Sequence, residues 1–124
     1  EDNQYFSSEN GILYDKKKKV LLQCPREMEG DIIIPETVVK IGDYAFFNCY
    51  YMTSISIPES VTSIGKAAFH DCLKLLNVTI PKNVTSIGEG AFAGEQRMSD
   101  IQVSEDNKYF TSENGILYDK KRKF

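Results

Sequence analysis

Reactive side chains are few in this chain: one histidine, His70, beside Asp71, and three cysteines, Cys24, Cys49 and Cys72. A nucleophilic triad or a metal centre needs partners converging from several elements. A single histidine inside a repeated phrase lacks them, so His70 reads as a solvent-facing side chain. The cysteines are odd in number and lack the CxxC spacing of zinc or redox sites. Cys49 and Cys72 stand 23 residues apart in equivalent phrases, where a small buried thiol suits a tightly stacked interior. They are expected to be free, since the third phrase carries Glu95 at that place and needs no partner.

The other candidates are weaker. Ser54, Ser56, Ser60 and Ser63 occupy strand and turn positions, and none sits in a Gly-x-Ser-x-Gly elbow. The carboxylates are scattered, with no pair facing a shared pocket. Gly42, Gly65 and Gly88 fall once per repeat and read as turn residues, not as a phosphate loop. No enzyme, cofactor or metal site is expected. The run Lys16, Lys17, Lys18, Lys19 and its echo Lys120, Lys121, Arg122, Lys123 could attract anionic glycans or a lipid surface. A solvated hairpin turn that discourages edge pairing is the favoured reading. Asn77-Val-Thr79 and Asn83-Val-Thr85 match the glycosylation acceptor pattern, which strand and turn composition also explains.

The elements that position these residues follow from periodicity. Pro35, Pro58 and Pro81 are 23 residues apart, each inside the phrase Ile-x-Ile-Pro-x-x-Val-x-x-Ile-Gly-x-x-Ala-Phe or a close variant. A unit this short cannot enclose its own core, so each copy must bury its apolar residues against the next. Ile32/Ile34, Ile55/Ile57, Val78/Ile80 and Ile101/Val103 alternate with period two, the pattern of four short strands in one parallel sheet with a buried face. An extended segment such as Val61 to Gly65 follows each proline. Ala68, Phe69, Cys72 and Leu75 or Leu76 then fall three or four apart, which predicts a short helical turn. Phe46, Phe69 and Phe92 should stack as a core column. Tyr50 and Tyr51 end the first such segment, one expected to pack and the other to be half exposed.

A longer period encloses the short one. Residues 1–20 recur at 105–124 with 16 of 20 positions identical, an offset of 104. Gly11 to Tyr14 and Val20 to Gln23 are two apolar runs separated by Asp15 and four lysines, which predicts a β-hairpin. The expected organisation is one solenoid domain over 1–124. A long hairpin-containing unit spans 1–31, and three regular repeats with the opening strand of a fourth span 32–104. A truncated second copy of the long unit spans 105–124, as though cut from a longer array.

Composition agrees with an α/β repeat and excludes several classes. The chain has 124 residues, 41% hydrophobic and 27% charged, an ordinary globular balance. A net charge of −3 offers no basic surplus for a phosphate backbone, so nucleic acid is not an expected partner. The longest apolar runs fall far short of the roughly 20 residues a bilayer span needs, so no membrane insertion is expected.

The strand phrase Ile-x-Ile-Pro followed by Val-x-x-Ile-Gly and Ala-Phe-x-x-Cys, as in Ile55 to Cys72, closely resembles the BspA-like (treponemal-type) leucine-rich repeats over Asp31 to Val103. Departures are local: Ser104 replaces the proline, and Gly94 and Glu95 replace Asn48 and Cys49. The resemblance implies a right-handed solenoid on secreted or surface-anchored proteins, hence an extracellular or cell-surface location, and a role in adhesion and protein binding. It carries no catalytic residues across, because its motif is a packing motif.

A partner, protein or glycan, would meet the side chains between the buried aliphatics of each strand: Asp31, Ile33, Ser54, Ser56, Asn77, Thr79, Asp100 and Gln102. Strands about 4.8 Å apart present such a column at the backbone scale of a partner. The expected function is a non-catalytic interaction module of an adhesin-like surface protein. The alternative is a structural spacer array that projects another domain. Ligand identity and oligomeric state are not encoded in these patterns.

Overall fold

The computed structural model describes residues 5–93, 100–113 and 116–120. The first elements are β1 (Phe6–Glu9) and β2 (Ile12–Asp15), an antiparallel pair. They are joined by Asn10 and Gly11 at φ 53° and 84°, the left-handed dipeptide that matches the twist of two paired strands. Strand β3 (Val20–Gln23) pairs antiparallel with β2, as the apolar runs predict. The Asp15 carboxylate closes the lysine turn by accepting the amides of Lys19 at 2.8 Å and Val20 at 3.1 Å.

Three coils follow, each with two short strands: β4 (Gly30–Ile33) and β5 (Lys40–Ile41), β6 (Met52–Ser56) and β7 (Ser63–Ile64), β8 (Asn77–Ile80) and β9 (Ser86–Ile87). Then come β10 (Asp100–Val103) and a second antiparallel pair, β11 (Phe110–Glu113) and β12 (Ile116–Asp119). Strands β3, β5, β7 and β9 run parallel in a six-stranded sheet ordered β1-β2-β3-β5-β7-β9. The four alternating strands β4, β6, β8 and β10, the first three of them followed by proline, do not form the single sheet expected. They pair as β4 with β6 and β8 with β10, and β6 lies beside β8 outside any common sheet. The coils stay stacked there because two other ladders hold their spacing: the β5-β7-β9 strands and the turns described next.

The expected short helical turns are absent, and the described residues contain no helix. In residues 43–49 the amides alternate in direction. Those of Ala45, Phe47 and Cys49 close local turns onto Gly42, Tyr44 and Phe46, whereas those of Tyr44, Phe46 and Asn48 reach Lys66, Ala68 and His70 in the next coil. The same alternation links Ala67, Phe69 and Asp71 to Glu89, Ala91 and Ala93. An α-helix needs every amide to bond four residues back, so a ladder that exports every second amide cannot be helical. Positive φ at Tyr44, Asn48, Ala67 and Asp71 (61°, 60°, 53° and 59°) marks the breaks.

Gly65 and Gly88 open turns as expected, their carbonyls accepting the amides of Ala68 at 3.3 Å and Ala91 at 3.2 Å, but their lack of a side chain answers a different need. Neither has a left-handed φ; a Cβ on Gly65 would lie 2.5 Å from the Asp43 amide, and one on Gly88 2.4 Å from the Lys66 amide. Backbones of successive coils touch here, and no side chain fits between them.

The core is a set of columns at the 23-residue period. Val38, Val61 and Val84 are fully buried, as are Ala45 and Ala68. The rings of Phe46 and Phe69 lie 5.0 Å apart at 4°, and those of Phe69 and Phe92 5.3 Å apart at 2°, the expected stack. The fourth place of the valine column is Asn107, 1% exposed. Its amide nitrogen donates to the Pro81 carbonyl at 2.8 Å and the Val84 carbonyl at 3.0 Å. Its side-chain oxygen accepts the amides of Tyr109 at 2.7 Å and Phe110 at 2.9 Å. A buried polar group is tolerated when fully bonded, and these bonds turn the chain out of the coil and into the β11–β12 hairpin.

Candidate functional site

The column proposed from alternation is placed by strand register. Asp31 faces Ser54 and Ile33 faces Ser56 across the β4–β6 pair, and Asn77 faces Asp100 and Thr79 faces Gln102 across β8–β10. Ile33 is 76% exposed, and Asp31, Ser56, Asn77, Thr79 and Gln102 are exposed as well. Ser54 is half-buried, and the side chain of Asp100 lies outside the described residues. The Asp31 carboxylate accepts from the hydroxyls of Ser54 at 2.7 Å and Thr53 at 3.5 Å. The eight positions thus form two patches of four, set side by side where β6 meets β8.

The other sequence candidates behave differently. Lys16, Lys17 and Lys19 are exposed, but Lys18 is half-buried and ion-paired with Glu9, so the run does not present four open charges. In the second run Lys120 donates to the Asn107 carbonyl at 2.6 Å, and Lys121, Arg122 and Lys123 lie outside the described residues. His70 is not the solvent-facing side chain expected. The 23-residue register sets it one coil above Phe47, and its half-buried ring stacks on that ring at 5.0 Å and 22°, with Nδ1 3.4 Å from Asp71 Oδ2. Tyr50 is half-buried and Tyr51 is 48% exposed. Lys74, also one register step on, places its ammonium 5.4 Å from the Tyr51 ring centroid. Asn83 donates to the Glu59 carbonyl at 2.8 Å, which occupies its amide, whereas Asn77 is exposed.

All three cysteines are free and fully buried. Cys24 heads the column that the spacing had assigned only to Cys49 and Cys72; Glu95 lies outside the described residues. The Cys49 thiol donates to the Cys24 carbonyl at 3.6 Å, and that of Cys72 to the Phe46 carbonyl at 3.1 Å. The hydrogen bond with Cys49, and then burial, push the Cys24 thiol far above the usual range. Complete burial makes all three cysteines packing residues.

Two features escaped the sequence reading: the surface stack of Tyr44, Phe47 and His70, with Tyr44 and Phe47 edge-on at 5.5 Å, and Asn107. Counting 23 residues forward from Phe47 and from Val84 would have found His70's partner and Asn107's place. A cavity of about 1070 Å³ opens between β9 and the second hairpin, beside Gly88, Phe110 and Leu117. Among the described residues no group of three or more His, Cys, Asp or Glu could hold a metal ion, and no helix is long and apolar enough to cross a membrane.

A family model described as the BspA type leucine rich repeat region matches residues 24–114 in six copies. Two crystal structures are similar. One is a leucine-rich repeat protein from Eubacterium ventriosum ATCC 27560, 31% identical over 82% of this chain and 28% of that one, with a TM-score of 0.80. The other is a leucine rich cell surface protein from Faecalibacterium prausnitzii A2-165, 32% identical over 75% of this chain and 24% of that one, with a TM-score of 0.68. The chain therefore spans between a quarter and a third of the first and about a quarter of the second. No curated protein matches it.

Proposed function

The chain belongs to the BspA-type leucine-rich repeat family, and from that premise we propose that it is a non-catalytic interaction module whose paired-strand column docks a protein or a glycan. The carrying observation is the in-register exposure of Ile33, Ser56, Asn77, Thr79 and Gln102. Small hydroxyl and amide side chains on a stiff backbone lose little entropy on binding and can bond in either direction. Ile33 supplies an apolar contact at one end of the face, and the Asp31 carboxylate, held by Ser54 and Thr53, supplies an acceptor in fixed orientation.

Four short strands span only roughly 15 to 20 Å at strand spacing, less than a standard interface. A longer array would multiply the same weak site by avidity. A cell-surface location is part of the proposal, supported by the similarity to the leucine rich cell surface protein of Faecalibacterium prausnitzii.

Binding to protein and glycan panels, compared between the native chain and a variant with Ser56, Thr79 and Gln102 replaced by Arg, tests the face. Loss of captured partners in the variant is expected, and identical binding would exclude this surface. Absence of any captured partner would favour the spacer reading, to which the near-identical segments 1–20 and 105–124 also lend themselves.

A further inference from the structure

The parallel ladder β3-β5-β7-β9 stops short of the second hairpin. Along it, the Ile41 carbonyl accepts the Gly65 amide and the Ile64 carbonyl accepts the Gly88 amide, both at 2.8 Å. The 23-residue period assigns the next rung to the Ile87 carbonyl and the Thr111 amide. Among the described residues that bond is not made, because β11 has committed its amide to β12. The Lys120 amide takes the Tyr109 carbonyl at 2.8 Å, so by antiparallel alternation Thr111 exchanges its bonds with Tyr118, the residue it faces. Strand β9 pairs with β7 alone among the described residues. Since the Gly88 amide bonds Ile64, the preceding residue, Ile87, turns its own N–H and C=O away from β7. Both groups point toward the cavity of about 1070 Å³ that separates β9 from the hairpin.

We propose that this cleft binds an extended peptide of alternating basic and apolar residues, which adds to β9 as a further strand. Main-chain recognition follows from the open edge, because an added strand bonds the N–H and C=O of Ile87 together. The alternation follows from the lining, because successive side chains of a strand point to opposite sides. Half-buried Ile87 and Leu117 offer apolar contact at the floor. Glu89 and Glu113 are exposed at the rim, and neither belongs to an ion pair among the described residues. The Tyr118 ring, 45% exposed, lines the same cleft. Carboxylates beside an accessible ring favour lysine or arginine over a neutral or acidic side chain. The volume stands at the top of the roughly 300–1,000 Å³ typical of binding clefts. Asn107 creates the site: by capturing the Tyr109 and Phe110 amides it diverts the chain and leaves the ladder uncapped. The cleft is separate from the strand column and does not depend on what that column binds.

The test titrates the full chain with three synthetic peptides: one alternating Lys and Val, one alternating Glu and Val, and the Lys-Val peptide N-methylated along its backbone. The last keeps side chains and charge but has no backbone donors. Binding is read by calorimetry and by amide hydrogen exchange. The Lys-Val peptide at saturation is expected to slow exchange of the Ile87 amide by about tenfold or more, and the other two to leave it unchanged. Glu89→Gln combined with Glu113→Gln, both at exposed positions, should weaken binding of the Lys-Val peptide by about threefold or more at low salt. No binding of that peptide, unchanged Ile87 exchange at saturation, or equal protection by the N-methylated peptide would overturn the proposal. Equal affinity of the native chain and the double variant would overturn it as well, because the occupant would then not be chosen for its charge. Slowed exchange confined to β6 and β8 would move the peptide to the strand column and remove the cleft as its site.

Discussion

Val84 and Asn107 occupy successive places in one core column, yet the chain behaves oppositely at them. At Val84 the coil closes by its amide bonding the Pro81 carbonyl, and the next segment runs on as β9 in the shared ladder. Asn107 closes the same local turn onto Ser104, but its side chain captures the amides of Tyr109 and Phe110 and diverts them into a hairpin. Regular coils are held by repetition of apolar shape, whereas the joint is held by four directional hydrogen bonds. A solenoid propagates through non-directional burial and changes course only where a polar side chain specifies geometry.

The sharpest way to break the regular side is Phe69→Ala. Phe69 is fully buried between two stacked rings, so a cavity there is walled by coils that cannot collapse. A loss of about 3–5 kcal/mol is expected, seen as a shifted urea midpoint. Phe92→Ala should cost less, since Phe92 is only partly buried.

Breaking the joint should cost somewhat less and act locally. Asn107→Val restores the column's shape but leaves the Tyr109 and Phe110 amides without the acceptor they share. Each buried orphan costs about 1–3 kcal/mol, so about 2–4 kcal/mol is expected with partial relief by rearrangement. Hydrogen exchange should accelerate in β11 and β12 while β7 stays protected. Uniform loss of protection across all coils would show that the joint is no separate device.

Gly65→Ala probes coil spacing itself. Its Cβ would meet backbone atoms of Asp43 and Gly42 within 2.6 Å, so the coils must part locally, at about 1–3 kcal/mol by analogy with overpacked cores. Gly42→Ala is the milder comparison, with its nearest contact 3.1 Å away at the Leu21 carbonyl. Equal midpoints for the two variants would contradict close approach as the reason for glycine.

The columns of Val38, Phe46 and Ile41 with their descendants were legible in the sequence because a fixed period projects directly onto stacked positions. The strand face was legible as a register for the same reason. The helical reading of Ala68, Phe69 and Cys72 failed because a spacing of three to four fits an α-helix and a chain of tight turns alike. The deciding fact is non-local: the Phe46 amide bonds Ala68, 22 residues on. Gly65 was recognised as special for a turn, while its reason lies in the neighbouring coil's backbone. Asn107 went unread because it breaks the motif's chemistry while keeping its register. Whether the Asp31 and Ile33 face binds a ligand depends on a partner's shape, which no periodicity contains.

The smallest expected effect concerns the covered tyrosine of the first hairpin. Burial, and then the Glu9 carboxylate, hold the Tyr14 phenol above its ordinary value of 10.0. The folded state therefore keeps a proton that the unfolded chain releases, and above about pH 10 the unfolded state binds fewer protons than the folded one. Stability tied to this group is complete below that value, falls as pH rises through it, and stops falling once the folded-state phenol also ionises. Tyr14→Phe should flatten the decline in urea midpoint on the alkaline side, because phenylalanine releases no proton in either state. An alkaline decline as steep in Tyr14→Phe as in the native chain would show that burial of this face does not reach the phenol.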